Sequence, residues 1–210
     1  KMEHILSLLI WLPVMGMVAI AFIPREKEDL IRTAAAVTTG VQFLLTLLLW
    51  NDFDTDNGAM QFKEWAEWIP SFNIAYHLGV DGLSLPMVIL TGMLFFIGVF
   101  VSWNIKKAVK GYFALFLMLN AGVMGVFLSL DFFLFYIFWE VMLLPMYFLI
   151  GMWGGPQREY AAIKFFLYTL FGSVLMLVGI LALYFYCGKT FDILVLTRVA
   201  PEALGGILWW

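Results

Sequence analysis

Six long apolar stretches constrain this chain more than any other feature of its sequence. A helix needs about 20 apolar residues to cross the hydrocarbon core of a bilayer. Because 63% of the residues are hydrophobic and only 13% are charged, against about 25% charged in a soluble domain, the sequence predicts an all-α bundle of about six transmembrane helices. These helices are expected at about 4–23, 31–50, 82–103, 111–130, 132–153 and 158–187.

Helix boundaries can also be read from capping residues. Asp81 and Asp131 each precede an apolar stretch and are predicted N-caps, because an aspartate oxygen there accepts from the first free amides of a helix. Residues 203–210 look like the start of a seventh helix.

The 51–81 segment is the only long connection, and it is rich in acidic residues. Apolar and polar residues alternate from Ser71 to Leu78, which is typical of a strand. We therefore predict a short strand here, as half of a hairpin-like segment near 62–79 outside the membrane.

The distribution of Lys and Arg predicts the orientation. Seven of these residues fall in the 24–32, 104–110 and 154–158 connections, and three fall in the opposite ones. Because cytoplasmic loops carry the excess of positive charge, the N-terminus and the 51–81 segment are expected to face outward.

The counts of metal-binding residues limit the chemistry of the chain. One cysteine, Cys187, and two histidines, His4 and His77, are too few for a zinc or iron–sulfur site. No basic, aromatic-interleaved patch suggests nucleic acid. We expect no cofactor in this chain, no nucleic-acid partner, and the lipid bilayer as its solvent.

Glu140 lies within the fifth apolar stretch, about 12 Å along the helix from Phe132, the residue after Asp131. An ionised carboxylate at such a depth costs about 2.5–3.5 kcal/mol. Burial favours its protonated form and a nearby cation favours its ionised form, so Glu140 is a candidate proton carrier. The alternative is a structural acid with a static hydrogen bond.

Three neighbours on the same helix are candidate supporting residues for Glu140. Tyr136 and Tyr147, at i−4 and i+7, can supply hydroxyl groups on the same face. Pro145 cannot donate a backbone hydrogen bond and so frees the carbonyl of Val141.

Lys164 is a second charge within an apolar stretch, about 9 Å from Arg158 along the sixth helix. Tyr160 and Tyr168 are expected on its face. Lys164 could approach Glu140 directly or through water, or it could extend to the lipid headgroups. The residues alone leave both possibilities open.

Three blocks carry a resemblance to a known family: LGVDGLSLPMVILTG at 78–92, FWEVMLLPMYFLIGMWGG at 138–155 and REYAAIKFFLYTLFGSVLML at 158–177. Their order and spacing closely resemble those of the antiporter-like membrane subunits of complex I. The resemblance implies the N-terminal part of a longer helix bundle, with further functional lysines beyond Trp210. It matches Glu140 to the family's glutamate and Lys164 to a common lysine.

The resemblance also implies a function and a setting. We expect a proton-translocating, non-redox subunit of NADH:quinone oxidoreductase in the bacterial inner membrane, catalytic only within its complex. The other membrane-arm subunits would be its partners, and FMN, iron–sulfur clusters and quinone would belong to partner subunits. The alternatives are a subunit of a multi-component Na⁺/H⁺ antiporter or membrane-bound hydrogenase, and a structural scaffold without an ion path.

Overall fold

The structure is a computed structural model that describes residues 4–203 and residue 205. Among the described residues, six helices are long and apolar enough to cross a membrane, which confirms the predicted bundle. They are α1 (Ile5–Phe22), α2 (Glu28–Asn51), α3 (Ser84–Val101), α4 (Val109–Leu128), α5 (Phe132–Trp153) and α6 (Arg158–Tyr186).

A short seventh helix, α7 (Ile193–Ala203), was not predicted. Asp192 precedes it and accepts from the amides of Leu194 and Val195, so an N-cap was the signal that could have located it. The helix start predicted at 203–210 lies almost entirely outside the described residues.

A β-hairpin connects α2 and α3. Its strands, β1 (Gln61–Ile69) and β2 (Ile74–Val80), pair antiparallel, which confirms the hairpin-like segment. The strand expected to begin at Ser71 begins at Ile74 instead. Pro70 opens a 3₁₀ turn, and Asn73 closes it at φ 53°, because asparagine tolerates the left-handed region.

Helix α4 lies at the centre of the bundle, and α6 lies at its edge, largely exposed. The span of α4 is 44% buried and packs against α1, α3 and α5, whereas the span of α6 is 11% buried and packs mainly against α5. Small residues allow the closest approach: Gly122 faces Met142, and Gly125 faces the ring of Phe138. One face of α6 is therefore left uncovered by the described residues.

Polar groups inside the bundle bond one another across helices. Gln42 of α2 is fully buried, donates to the carbonyl of Leu9 at 2.8 Å, and accepts from Asn120 of α4 at 2.5 Å. Because a buried amide without a partner is costly, these bonds fix how α1, α2 and α4 pack together.

Candidate functional site: an acid at the α5–α6 interface

Helix α5, which carries Glu140, begins where the sequence predicts. The carboxylate of Asp131 accepts from the amides of Phe133 and Leu134 at 2.8 and 3.0 Å, so it is the expected N-cap. The helix continues through the buried Pro145 to Trp153. Glu140 is thus held on a rigid element.

Glu140 lies on the side of α5 that faces α6. It is half-buried, and its Oε1 atom is buried without a hydrogen-bond partner among the described residues. Tyr136, four residues before Glu140 on α5, packs against the hydrophobic cluster that contains Ile180 of α6. The i,i+4 spacing therefore places Glu140 and Tyr136 on one face of α5, towards α6.

Ser173 of α6 is a buried polar residue that the sequence reasoning did not single out. It is 2% exposed, and its hydroxyl donates to the carbonyl of Leu170 at 3.0 Å. A signal was present: Gly172 and Ser173 interrupt a long apolar run, and small residues of this kind mark contacts between membrane helices.

Tyr147 makes a different set of contacts from Tyr136. Its ring packs edge-on against Phe148 and against Phe166 of α6, with centroids 5.4 and 5.5 Å apart. In these contacts the ring of Tyr147, not its hydroxyl group, packs at the α5–α6 interface.

Lys164 is exposed and faces away from this interface. Its Nζ lies 5.7 Å from the ring centroid of Tyr160 and 6.0 Å from that of Tyr168, within reach of a cation–π attraction. Within the part of the chain that the structure describes, it makes no ion pair with Glu140. The structure therefore groups Lys164 with its two tyrosines and separates it from the acid.

The separation can be estimated from the helix contacts. Tyr147 packs on Phe166 and Gly151 faces Ala162, so in this antiparallel pair Glu140 is level with about residue 173 of α6. Lys164 is then about 14 Å away along the helix axis.

A second group of acids lies at the hairpin end of the bundle. Glu64 of β1 is 8% exposed and accepts from the amides of Leu6 and Ser7 and from the Ser7 hydroxyl. Because the first amides of a helix have no partners within it, Glu64 caps α1 from a distant part of the sequence. The Ser7 hydroxyl in turn contacts the hydroxyl of Tyr76 at 3.0 Å.

Two further aspartates connect the hairpin with the starts of α5 and α7. Asp131 accepts from the amide of Ala75 as well as from its own helix, and the Nδ1 atom of His77 lies 3.1 Å from Asp192. Burial raises the pKa of Asp131 despite hydrogen bonds from three amides, and the charge of Asp192 raises it further.

The opposite end of α1 is bound by basic residues. Lys110 donates to the carbonyls of Ala21 and Ile23 at 2.8 and 2.9 Å, and cations there complement the helix dipole. Arg32 pairs with Glu28 and Asp29 and donates to the carbonyl of Ile105. The buried acids Glu64 and Asp131 thus lie at the hairpin end, and the basic residues that bond helix-end carbonyls lie at the opposite end.

No group of three or more His, Cys, Asp or Glu side chains among residues 4–203 and 205 could hold a metal ion.

A family model described as "NADH:quinone oxidoreductase/Mrp antiporter, TM" matches residues 129–208, a range that contains both Glu140 and Lys164. The whole chain is 41% identical to subunit M of the NADH-quinone oxidoreductase of Rhodobacter capsulatus, aligned over 41% of that protein. It is also 41% identical to chain 4 of the NADH-ubiquinone oxidoreductase of Arabidopsis thaliana, with 97% of this chain and 42% of the relative covered. The chain spans about two fifths of the length of these relatives.

Solved structures share the fold. A chain of respiratory complex I from Thermus thermophilus with bound NADH superposes with a TM-score of 0.80 at 26% identity, covering 92% of this chain and 39% of that one. A chain of the membrane-bound sulfane sulfur reductase, an archaeal respiratory membrane complex, gives a TM-score of 0.82 at 20% identity, covering 95% and 41%. The chain is therefore similar over nearly its whole length to membrane subunits of NADH:quinone oxidoreductases, and its residues 129–208 match the NADH:quinone oxidoreductase/Mrp antiporter family of transmembrane segments.

Proposed function

We propose that this chain is part of a proton-translocating membrane subunit of NADH:quinone oxidoreductase, and that Glu140 is a proton carrier within it. The observation that carries this proposal is the buried Oε1 atom of Glu140, which has no hydrogen-bond partner among the described residues. A structural acid would be bonded on both oxygens, because burying a carboxylate unpaired is expensive. An acid that takes up and releases a proton needs different hydrogen-bond partners in its protonated and ionised states.

The proposed coupling is electrostatic. Electron transfer to quinone in partner subunits, which would hold the FMN and the iron–sulfur clusters, would change the charge near Glu140 between two states of the complex. A coupling of this kind requires a differential interaction in those states. Lys164 is proposed as one fixed positive charge of this relay, acting over about 14 Å along the α5–α6 pair.

The proposed setting is the bacterial inner membrane, with the N-terminus and the β-hairpin outside. The positions of Lys110 and Arg32 at the end opposite the hairpin are consistent with the positive-inside rule. The other membrane-arm subunits would be the partners of the chain.

A second candidate function is a subunit of a multi-component Na⁺/H⁺ antiporter, since the matching family description names the Mrp antiporter beside the oxidoreductase. Purification of the native complex separates the two. Flavin and iron–sulfur subunits that co-purify in constant ratio support the oxidoreductase, whereas a complex free of both supports the antiporter.

The experiment that tests the proton carrier uses Glu140→Gln in the full-length subunit, within the assembled complex. Proton pumping by NADH-energised membrane vesicles is measured alongside assembly on a native gel. We expect normal assembly and a collapse of pumping, because glutamine keeps the shape of glutamate but cannot exchange a proton. Pumping at the wild-type level in the assembled complex would show that Glu140 is a static structural group.

A further inference from the structure

Two cations meet at the end of α5 that is opposite the hairpin. The Nζ atom of Lys107, in the α3–α4 connection, lies 3.3 Å from the carbonyl oxygen of Met152. The Nη1 atom of Arg158, at the start of α6, lies 3.4 Å from the same oxygen. Because both distances end on one atom, the two nitrogen atoms are at most about 7 Å apart.

The position of Lys107 is fixed by a second contact. The indole Nε1 of Trp153 donates to the carbonyl of Lys107 at 2.7 Å, and the Trp153 ring packs edge-on against Tyr112 of α4, with centroids 5.3 Å apart. Tryptophan and tyrosine are enriched where membrane helices meet the headgroup region. The two cations are therefore held together at the level of the lipid headgroups.

The positive charge of this pair is not neutralised. Within the part of the chain that the structure describes, neither Lys107 nor Arg158 forms an ion pair, although the exposed Glu159 follows Arg158 in the sequence. Arg32, at the same end of the bundle, is instead paired with two carboxylates. One carbonyl dipole cannot balance two unit charges, so the pair retains an affinity for an anion.

An exposed apolar stripe on α5 leads from the two cations into the membrane. Leu144, Phe148 and Met152 occupy successive i,i+4 positions, and their exposed fractions are 48%, 39% and 37%. The stripe is about 12 Å long and begins at the residue whose carbonyl oxygen accepts from both cations. A positive group at headgroup level above an apolar surface matches the two parts of an anionic phospholipid.

We propose that Lys107 and Arg158 bind the phosphate group of an anionic phospholipid, whose acyl chain lies along the α5 stripe. Two nitrogen atoms at this spacing can donate to different oxygens of one phosphate, with the arginine fork and the lysine ammonium each binding phosphate well. Basic pockets between membrane helices bind lipid headgroups in this way. The site requires a membrane-embedded bundle and does not depend on the role proposed for Glu140.

The test uses the assembled complex with its full-length subunit, in phosphatidylcholine vesicles with a small fraction of phosphatidylglycerol that carries a photoreactive acyl chain. Illumination and peptide mass spectrometry measure the labelling of segment 144–152. Each basic residue near a membrane surface strengthens the binding of anionic lipid about fivefold, so Lys107→Gln and Arg158→Gln should each lower the labelling by about that factor and the double variant by roughly 25-fold. Lys107→Arg keeps the charge and should keep the labelling.

Two controls separate the site from general effects of charge and folding. Arg25→Gln removes the same charge from an exposed position in the α1–α2 connection, at the same end of the bundle, and should leave the labelling nearly unchanged. Photoreactive phosphatidylcholine with the same acyl chain should label segment 144–152 equally in all variants. Native gels measure the assembly of each variant.

A loss of phosphatidylglycerol labelling with unchanged phosphatidylcholine labelling supports the lipid site. Wild-type labelling in the assembled double variant, an equal loss in Arg25→Gln, or an equal loss of phosphatidylcholine labelling overturns it. Displacement of the label by inorganic phosphate, but not by chloride at equal ionic strength, assigns the pair to free phosphate and also overturns it. Failure of the glutamine variants to assemble, with normal assembly of Lys107→Arg, assigns the pair to a partner subunit and overturns it too.

Discussion

The buried acids of this chain occupy two regions and are bonded very differently. At the hairpin end, Glu64 accepts from two amides and a hydroxyl, and Asp131 accepts from three amides. At the α5–α6 interface, Glu140 has a buried Oε1 atom with no partner among the described residues. Most donors to the hairpin-end acids are backbone amides, which hold these acids in place. The buried oxygen of Glu140 has no such donor among the described residues.

The comparison therefore separates two roles. The hairpin-end acids cap helices and fasten the hairpin to the bundle, so their loss should reduce stability and leave the chemistry of each surviving complex unchanged. The loss of Glu140 should instead leave stability unchanged and abolish proton pumping by the assembled complex. The following predictions test this division, from the largest expected effect on stability to the smallest.

Glu64→Ala should be the most destabilising change. It leaves the first amides of α1 and the Ser7 hydroxyl without their acceptor, and hydrogen bonds to a charged group contribute about 1.5–3 kcal/mol. Thermal unfolding of the detergent-solubilised complex, with native-gel assembly, measures the loss. Glu64→Gln is the matched control, because its amide oxygen still accepts. If both variants were as stable as the wild type, Glu64 would not stabilise α1 as an N-cap.

Asp131→Ala should cost about 0.5–2 kcal/mol, which is typical of a lost N-cap, and Asp131→Asn should cost less because it keeps an acceptor. Burial raises the pKa of Asp131, so the folded chain holds this proton more tightly than the unfolded chain. Stability should fall as pH rises from the unfolded value of about 3.9 through the raised folded pKa. Unfolding temperature against pH measures this, and an unchanged slope in Asp131→Asn would contradict it.

The contact between His77 and Asp192 should contribute less, about 0.2–1 kcal/mol, since Asp192 is partly exposed to solvent. A double-mutant cycle with His77→Ala and Asp192→Ala isolates the coupling from the capping of α7 by Asp192. Strictly additive losses of stability would show that the contact does not fasten the hairpin to the α6–α7 connection.

Lys164→Gln should leave the unfolding temperature nearly unchanged, because the lysine is exposed and its ammonium group, among residues 4–203, makes cation–π contacts alone. It should reduce proton pumping partially, and Lys164→Arg should preserve it, since a charge about 14 Å from Glu140 along the helix axis acts through its field. Equal pumping in all three forms would assign Lys164 to headgroup contact alone.

The sequence predicts the helices well because length and hydropathy decide whether a segment can cross a bilayer. The N-cap at Asp131 was equally accessible, since it depends on residues two and three positions away. Asp81, predicted as the N-cap of α3, lies three residues before its first residue and accepts from the amides of Leu83 and Ser84. The short α7 was missed because it is only 11 residues long, too short for the criterion of a membrane span.

The site was only partly predictable from the sequence. Tyr136 follows from i,i+4 spacing with Glu140, but the distant cap at Glu64 depends on a tertiary contact between segments far apart in the sequence. The exposed position of Lys164 also depends on the rotation of α6 against α5, which a nearly uniform apolar sequence does not specify. Spacing along the sequence therefore identified Glu140 and Tyr136, whereas the distant cap and the exposure of Lys164 depend on how the helices pack.

The measurement that most directly tests the proton-carrying role of Glu140 is the number of protons pumped per NADH by each assembled complex, compared between Glu140→Gln and Glu64→Gln in the full-length subunit. The same chemical change is made at both acids, so only their environments differ. We predict that Glu64→Gln keeps the wild-type ratio even if fewer complexes assemble, and that Glu140→Gln assembles normally and loses pumping. A wild-type ratio in Glu140→Gln would contradict the proposed role.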